Sequence, residues 1–428
     1  MLISRPAYLG KLIAKMNNGM IKVITGIRRS GKSFLLFNLF YSYLLEHGTS
    51  PDQIIAINLE DYACRDLRSP DKLYEYVSAR LAPHRQYYVL LDEAQYAIRR
   101  EDLKNPDIPL PLYDVLNGLL RRQDIDIYVT GSNSKFLSTD VMTEFRGRGD
   151  QIQVQPLAFS EFCSAYAGTV HDAWNEYMYY GGLPHILAEP DAESKSRYLK
   201  HLFSEIYFKD IKERYGIKND SGMEEIVRIV ASSIGSLTNP NRIARTFESS
   251  GKKSLSPSVI AGYLRCLQDS FILQKAERYD VKGRKYISTP SKYYFTDVGL
   301  RNAHLNFRQV EPTHLMENIL YNELAYRGFN VDVGIVEING VENGKHVKRQ
   351  LEVDFVAGKG SSRYYIQSAY ALDTREKTEQ EQRSLNSIPD SFKKIIVTQG
   401  DFLPWHTEQG TLVIGAEKFL LDPGSMDL

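Results

Sequence analysis

Cysteine is scarce in this 428-residue chain: Cys64, Cys163 and Cys266 stand far apart, in no CxxC pair. An odd, scattered set argues against a disulfide framework and for a reducing compartment. Histidine is sparse too, nine in all, with no HExxH or other ligand spacing, so no zinc site is expected. No apolar run approaches the ~20 residues of a membrane span. The first residues, MLISRPAYLGKLIAK, carry Arg5, Lys11 and Lys15 without the apolar stretch of a signal peptide. The expectation is a cytoplasmic protein with no membrane partner. Charge of one sign is also lacking, with 53 basic residues against 53 acidic. No global field therefore advertises nucleic acid, and any basic binding surface is local. The chain shows no internal repeat and no low-complexity tract.

What is present is a change of texture along the chain. Residues 1–155 alternate short apolar runs with helical patterns. The expected strands are Lys22–Gly26, Ile54–Leu59, Tyr87–Leu91, Ile125–Thr130 and Gln151–Gln155, with helices such as Lys32–His47, Lys72–Leu81 and Leu112–Arg121 between them. Strands alternating with helices predict an α/β core with a parallel sheet covered on both faces. Residues 156–221 read as a helical lid or linker, broken at YYGGLP. Residues 222–305 carry short helices and then a hairpin turning near Lys282–Gly283, the pattern of a winged helix. Residues 306–428 read as a second α/β domain, with strands at 330–337, 350–357 and 363–370, then a helix over TEQEQRSLNSI and the strand KKIIVTQ.

The stretch ITGIRRSGKS satisfies GxxxxGK[ST] through Gly26, Gly31, Lys32 and Ser33. Glycines permit a tight loop whose N–H groups point inward at phosphate oxygens, and the following helix adds its dipole. Lys32 is expected on the β- and γ-phosphates of ATP and Ser33 on Mg²⁺. The expected nucleotide contacts are Gly26, Arg29, Ser30, Gly31, Lys32, Ser33 and Phe34. Arg28 and Arg29 either add positive potential or pair with surface acids. In YYVLLDEAQ an apolar strand ends in two acids, Asp92 to hold Mg²⁺ and Glu93 to activate the attacking water. Asp92 lies 60 residues after Lys32 (92 − 32) with one further strand between them in sequence, which points to ATPases that hydrolyse with their own carboxylate. In IYVTGSNSKFL, Asn133, with Ser132 behind it, is either a γ-phosphate sensor or a helix N-cap. In EFRGRGDQ, Arg148, or less favourably Arg146, is either an arginine finger or part of a solvated basic loop.

Across nearly its whole length the chain resembles bacterial and archaeal AAA-type ATPases with a C-terminal restriction-nuclease-like domain. The resemblance is carried by RPAYLGKL, ITGIRRSGKS, LLDEAQ, TGSNSKFLS, Gly147–Arg148 and PLAFSEF. Further along it is carried by YYGGLP, KDIKERYGIKN, IAGYLRCLQDSFIL, KYYFTDVGLRNA, ENILYNEL and LEVDFVAG. It implies an ATP site of the ASCE type using Lys32, Ser33, Asp92 and Glu93, favours Arg148 as the finger, and implies a winged helix in the middle.

In such a winged helix, SPSVIAGYLRCLQDS is the recognition helix, capped by Ser256, and Arg278, Lys282, Arg284 and Lys285 make a basic wing. That arrangement suits double-stranded DNA; the other reading is a module that packs on the ATPase core or binds a protein. The C-terminal domain looks like a PD-(D/E)xK nuclease core, with Glu317 and Asp354 in the first two acidic positions and Glu352 on the same strand face. In YYIQSAY, however, Gln367 replaces the third acid and Ala369 replaces the lysine, so a degenerate fold is expected. The function expected is a Mg²⁺-dependent ATPase whose nucleotide state drives its C-terminal modules, singly or as an oligomer. The alternatives are an ATP-switched DNA- or protein-binding regulator with little turnover, and an ATP-gated nuclease, against which Ala369 argues.

Overall fold

The computed structural model describes residues 3–428 apart from 100, 103–109, 123, 132–146, 218–219, 250–254 and 343–344. The chain forms two compact units, one of Met1–Pro156 with Asp269–Phe271 and one of Leu157–Gln268 with Ile272–Leu428.

The first unit is a five-stranded parallel sheet. Its strands are β1 (Ile21–Thr25), β2 (Ile54–Asn58), β3 (Tyr87–Asp92), β4 (Ile125–Thr130) and β5 (Gly149–Gln153), in the spatial order β2-β3-β4-β1-β5. All five expected strands are present within two residues. They are apolar runs because helices cover both faces. One face, with Val23, Ile57, Val89, Leu91 and Ile127, buries against Leu73, Val77, Leu112 and Leu116 of helices Pro70–Ser78 and Pro111–Leu120. Helical structure runs from Lys32 to Glu46, with a π-type stretch at Leu35–Phe40, and Phe40 packs its ring 4.5 Å from that of Tyr128 on β4. β2, the strand between the phosphate loop and Asp92 in sequence, lies at the sheet edge. The strand between β1 and β3 in space is β4. Lys22 breaks the apolar pattern of β1: it is buried and paired with Asp126 of β4, which also accepts from the Tyr128 hydroxyl at 2.8 Å.

The second unit opens with helices Phe159–Ala165, Val170–Tyr180 and Ala192–His201. YYGGLP and KYYFTDVGLRNA meet there. Asp297 caps helix Val298–His304 through the Leu300 N–H at 2.9 Å and accepts the Gly182 N–H at 2.8 Å, while Asn302 donates to the carbonyls of Met178 and Tyr179. A Cβ on Gly299 would lie 1.9 Å from the Tyr180 oxygen, so glycine is required by close approach. Both motifs are therefore structural fasteners.

Helices Asp220–Ser232, Pro240–Ser249 and Pro257–Asp269 precede the hairpin of β6 (Leu273–Asp280) and β7 (Lys285–Phe295), and Thr238 forms an antiparallel bridge with Ser291 of β7. The Ser256 hydroxyl accepts the Val259 N–H at 3.4 Å, the expected cap. The hairpin is not a free wing, because β6 pairs in parallel with β8 (Asn330–Glu342). Beyond β8 come β9 (Lys345–Lys359), β10 (Ser362–Ala369), β11 (Lys393–Thr398), β12 (Trp405–His406) and β13 (Leu412–Gly415). They form one eight-stranded mixed sheet, β12-β13-β11-β10-β9-β8-β6-β7, flanked by helices Pro312–Tyr326 and Arg375–Asn386. The sequence announces no strand beyond β11. β12 is two residues long and β13 four, too short for a periodic signal.

Candidate nucleotide site

The turn after β1 takes its shape from a few positions. Gly26 has φ +139°, and a Cβ there would meet the Val154 oxygen at 2.1 Å. Arg29 and Gly31 both lie in the left-handed region, at φ +65° and +92°; for Arg29 this costs roughly 1–2 kcal/mol. Lys32, the first helical residue, folds its ammonium back onto the turn and donates to the carbonyls of Gly26 at 3.0 Å and Ile27 at 2.9 Å. Beneath the turn, the buried Arg5 guanidinium donates to the carbonyls of Ser30 at 2.9 Å, Gln155 at 2.9 Å and Pro156 at 3.3 Å. The Tyr8 hydroxyl accepts the Gln155 N–H at 2.9 Å. RPAYLGKL thus braces the loop against the chain leaving β5. The Ser30 hydroxyl is buried without a partner, and Ser33 is exposed, Phe34 half-buried and Arg29 exposed.

Asp92 ends β3 and Thr130 ends β4, so adjacent parallel strands present both at one sheet edge. The Thr130 hydroxyl donates to Asp92 Oδ1 and accepts the Glu93 N–H at 3.1 Å. The Ser33 hydroxyl comes close enough to Asp92 to favour its ionised form, which brings loop and strand edge together. Glu93 has φ +51°, an uncommon conformation for a non-glycine residue, and its carboxylate accepts from Gln95 Nε2. Burial pushes the Lys32 ammonium down to about 8, opposed by the charges of Glu93 and Asp92. Burial also raises the Asp92 carboxyl above its ordinary value, against the hydrogen bonds from Thr130 and Ser33 and the Lys32 charge.

Lys32, Ser33, Asp92 and Glu93 are therefore brought together. Thr130, Arg5 and Gln95 join them without having been singled out in sequence. Thr130 carries a signal, a hydroxyl at the last position of an apolar strand, one residue before Gly131; Arg5 carries one only as the first residue of RPAYLGKL, which the family resemblance includes without giving it a role. Asn133, Ser132 and Arg146 lie outside the described residues. Arg148 is not at this chain's loop. It is exposed and immediately precedes β5, and its carbonyl accepts the Ile21 N–H at 2.8 Å. The turn leaves the other end of β1, roughly 15 Å away at ~3.3 Å per residue.

In the second unit, Arg278 is not part of a solvated wing. It is 8% exposed and donates to Gln350 Oε1 at 2.8 Å. Lys282 donates to the Glu337 carbonyl at 2.8 Å, and Arg265, Arg284 and Lys285 are exposed. Among the described residues, no helix is long and apolar enough to cross a membrane. No group of three or more His, Cys, Asp or Glu among them is arranged to hold a metal ion.

A Mg²⁺–nucleotide fits the first-unit residues. The ammonium donors are satisfied only by loop carbonyls, a buried hydroxyl at Ser30 lacks a partner, and a hydroxyl and a carboxylate, Ser33 and Asp92, meet as a hard-oxygen pair suited to Mg²⁺.

Residues 18–163 match an AAA-domain family, and residues 171–311 match a domain of unknown function, DUF8612. An uncharacterized protein of Haemophilus influenzae is 30% identical over 403 residues, 93% of each chain. The chain belongs to that protein's family, and its first unit is an AAA-type P-loop domain. An uncharacterized protein of Methanocaldococcus jannaschii is 28% identical to this AAA-type protein over 376 residues, 85% of this chain and 77% of that one. Among solved structures, Aeropyrum pernix ORC1 in complex with DNA aligns with 72% of this chain and 93% of its own at 13% identity and a TM-score of 0.29. That likeness is too slight to bear on function.

Two outcomes follow for this AAA-type protein. Lys32 titrates near pH 8 in the free protein, and a bound triphosphate favours its charged form. Below pH 8 the ammonium is already charged and ATP affinity is flat. Above it, binding must take up a proton, and affinity falls up to tenfold per pH unit. Calorimetric titration with Mg-ATP between pH 7 and 9.5 reads this directly, and a flat profile contradicts it. Thr130→Val removes both hydrogen bonds that set the two acids. It is expected to lower the turnover number by about 100-fold with less than a few-fold change in ATP affinity; equal losses in both would make Thr130 merely a folding residue.

Proposed function

We propose that this protein is a Mg²⁺-dependent ATPase whose nucleotide state drives its second unit. The observation that carries the reading is the pairing of a Lys32-closed phosphate loop with Asp92 and Glu93 through Ser33 and Thr130. Lys32 exchanges the carbonyls of Gly26 and Ile27 for β- and γ-phosphate oxygens, and the loop N–H groups line the same oxygens. Ser33 and Asp92 would hold Mg²⁺, which supplies charge neutralisation at the phosphoryl oxygens when bound. Glu93 orients the attacking water and takes its proton, and Thr130 fixes the angle between the two acids. Asn133, which lies outside the described residues, keeps its sequence-based role as the γ-phosphate sensor in this proposal.

Arg148 stands a strand's length from its own loop, so as a finger it serves only a neighbouring copy. An oligomer is part of the proposal on that account. In the second unit, the three helices, the hairpin and the Thr238–Ser291 bridge support the winged-helix reading of residues 222–305. The topology of one helix, β8 to β10, a second helix and β11 supports the nuclease-like reading of 306–428. With Arg278 buried, the basic surface offered to duplex DNA shrinks to Arg265, Arg284 and Lys285 with Lys282. A protein partner is the alternative output.

ATP turnover measured with and without double-stranded DNA, at two salt concentrations, tests the reading. Wild type is expected to release phosphate only with Mg²⁺, and Lys32→Ala to lose both binding and turnover. Stimulation by DNA that disappears at high salt assigns the output to a duplex; no response at either salt assigns it to a protein. Wild-type turnover no faster than that of Lys32→Ala would leave ATP as a conformational ligand and overturn the ATPase.

A further inference from the structure

The acid cluster of the second unit reads in sequence as a cation site missing its lysine, since Ala369 stands at the lysine position. The fold supplies a lysine from another element. Lys292 enters from β7, paired with Ala276 of β6, and is 2% exposed. Its Nζ lies 2.8 Å from Glu317 Oε1, 2.8 Å from Glu352 Oε1 and 3.2 Å from Asp354 Oδ1. Glu317 and Asp354 are the two acids that the sequence pattern assigns to a divalent cation, Glu352 shares the strand face of Asp354, and the ammonium sits at the point where the three converge. An ammonium carries three N–H donors and no acceptor, and here three carboxylates face them. Two of those donors are hydrogen-bonded to Glu317 and Asp354, and Glu352 lies in ion-pair contact, so the ammonium is committed to the acids and not to a water or a leaving group.

The surroundings hold this arrangement without a metal. The Tyr294 hydroxyl donates to Glu317 Oε1 at 2.7 Å, and the Ser368 N–H donates to Asp354 Oδ2 at 2.9 Å. Gln367 turns its Oε1 toward the Asp354 N–H, at 3.4 Å. Gly235, at φ +72°, presses close enough that a Cβ would lie 2.8 Å from Glu317 Oε2, so the loop after helix Asp220–Ser232 roofs the acid. The neighbouring residue Ser291 is bridged to Thr238 of the same loop. Lys292 is buried on β7, so its ammonium could leave the acids only into a packed interior. Removing one partner of such a buried network leaves the others uncompensated, which is far more costly than the network is stabilising.

We infer that the Lys292 ammonium occupies the divalent-cation position of the Glu317–Glu352–Asp354 cluster, which makes the cluster a metal-independent ionic joint fastening the β6–β7 hairpin to the C-terminal fold and not a hydrolytic centre. The hairpin that precedes the C-terminal strands in sequence thereby delivers the charge those strands need. This also accounts for a third-motif strand that tolerates Gln367 and Ala369.

Mn²⁺ titrated into the nucleotide-free, full-length protein tests the inference, read by calorimetry and by thermal shift. Wild type is expected to take up no Mn²⁺ that Asp354→Asn abolishes. Lys292→Met is expected to lose thermal stability, to take up one Mn²⁺ per chain, and to recover several degrees in millimolar Mn²⁺; adding Asp354→Asn removes that recovery. Should Lys292→Met fold only when refolded with Mn²⁺, the metal is replacing the ammonium and the inference stands. An Asp354-dependent Mn²⁺ site in the wild type overturns it. So does a Lys292→Met protein that folds without gaining Mn²⁺ binding, or one that neither folds nor binds with Mn²⁺ present. The nucleotide site plays no part in these readouts, so their failure is distinct from failure of the ATPase reading.

Discussion

The buried Lys32 ammonium organises the loop of the first unit. Lys32 sits at the start of its helix, desolvated, with the carbonyls of Gly26 and Ile27 as its hydrogen-bond acceptors and Asp92 and Glu93 as the nearby charges that favour its protonation. A buried cation without counter-charge costs several kcal/mol. The sheet edge answers that cost by ending β3 in two acids, and β4 in the hydroxyl that aims them. The same excess of unmet charge and donors is what an anionic, metal-bound phosphate chain satisfies. Stability of the loop and affinity for a nucleotide are in this sense one electrostatic problem.

The geometry of that loop depends on distant parts of the chain. Arg5 and Tyr8 tie the helix before β1 to the residues after β5, so the two ends of the Met1–Pro156 segment close around Ser30. Gly26 is held against Val154 from the other side. The proposed nucleotide contacts are local in sequence, but the scaffold that shapes the loop spans the whole unit.

Short-range chemistry is what the sequence exposes. Lys32 and Ser33 are legible from the GxxxxGK[ST] spacing that follows β1, Asp92 and Glu93 because they sit where an apolar strand stops, and the strands themselves are legible as apolar runs. Thr130 was equally well placed, but Ser132 and Asn133, two and three residues on, drew the reading past it. The buried Lys22–Asp126 pair was invisible, since a lysine in a strand carries no mark of what faces it. In sequence Arg278 looks like its basic neighbours, yet the parallel pairing of β6 with β8 buries it, and no local pattern announces a long-range strand partner. Arg148 was legible as a Gly-Arg dipeptide but not as a residue at the far end of its sheet.

The second unit follows the same rule at a larger scale. Its motifs YYGGLP and KYYFTDVGLRNA are spaced by more than a hundred residues and fasten to each other, and a lysine from the hairpin completes a set of acids on a helix and on β9. Conversion of ATP at the first unit is the claim on which the whole functional account rests. The most direct test compares Glu93→Gln with wild type for Mg-ATP affinity and for single-turnover phosphate release. The account predicts unchanged affinity with release slowed at least 100-fold; release at the wild-type rate would contradict it.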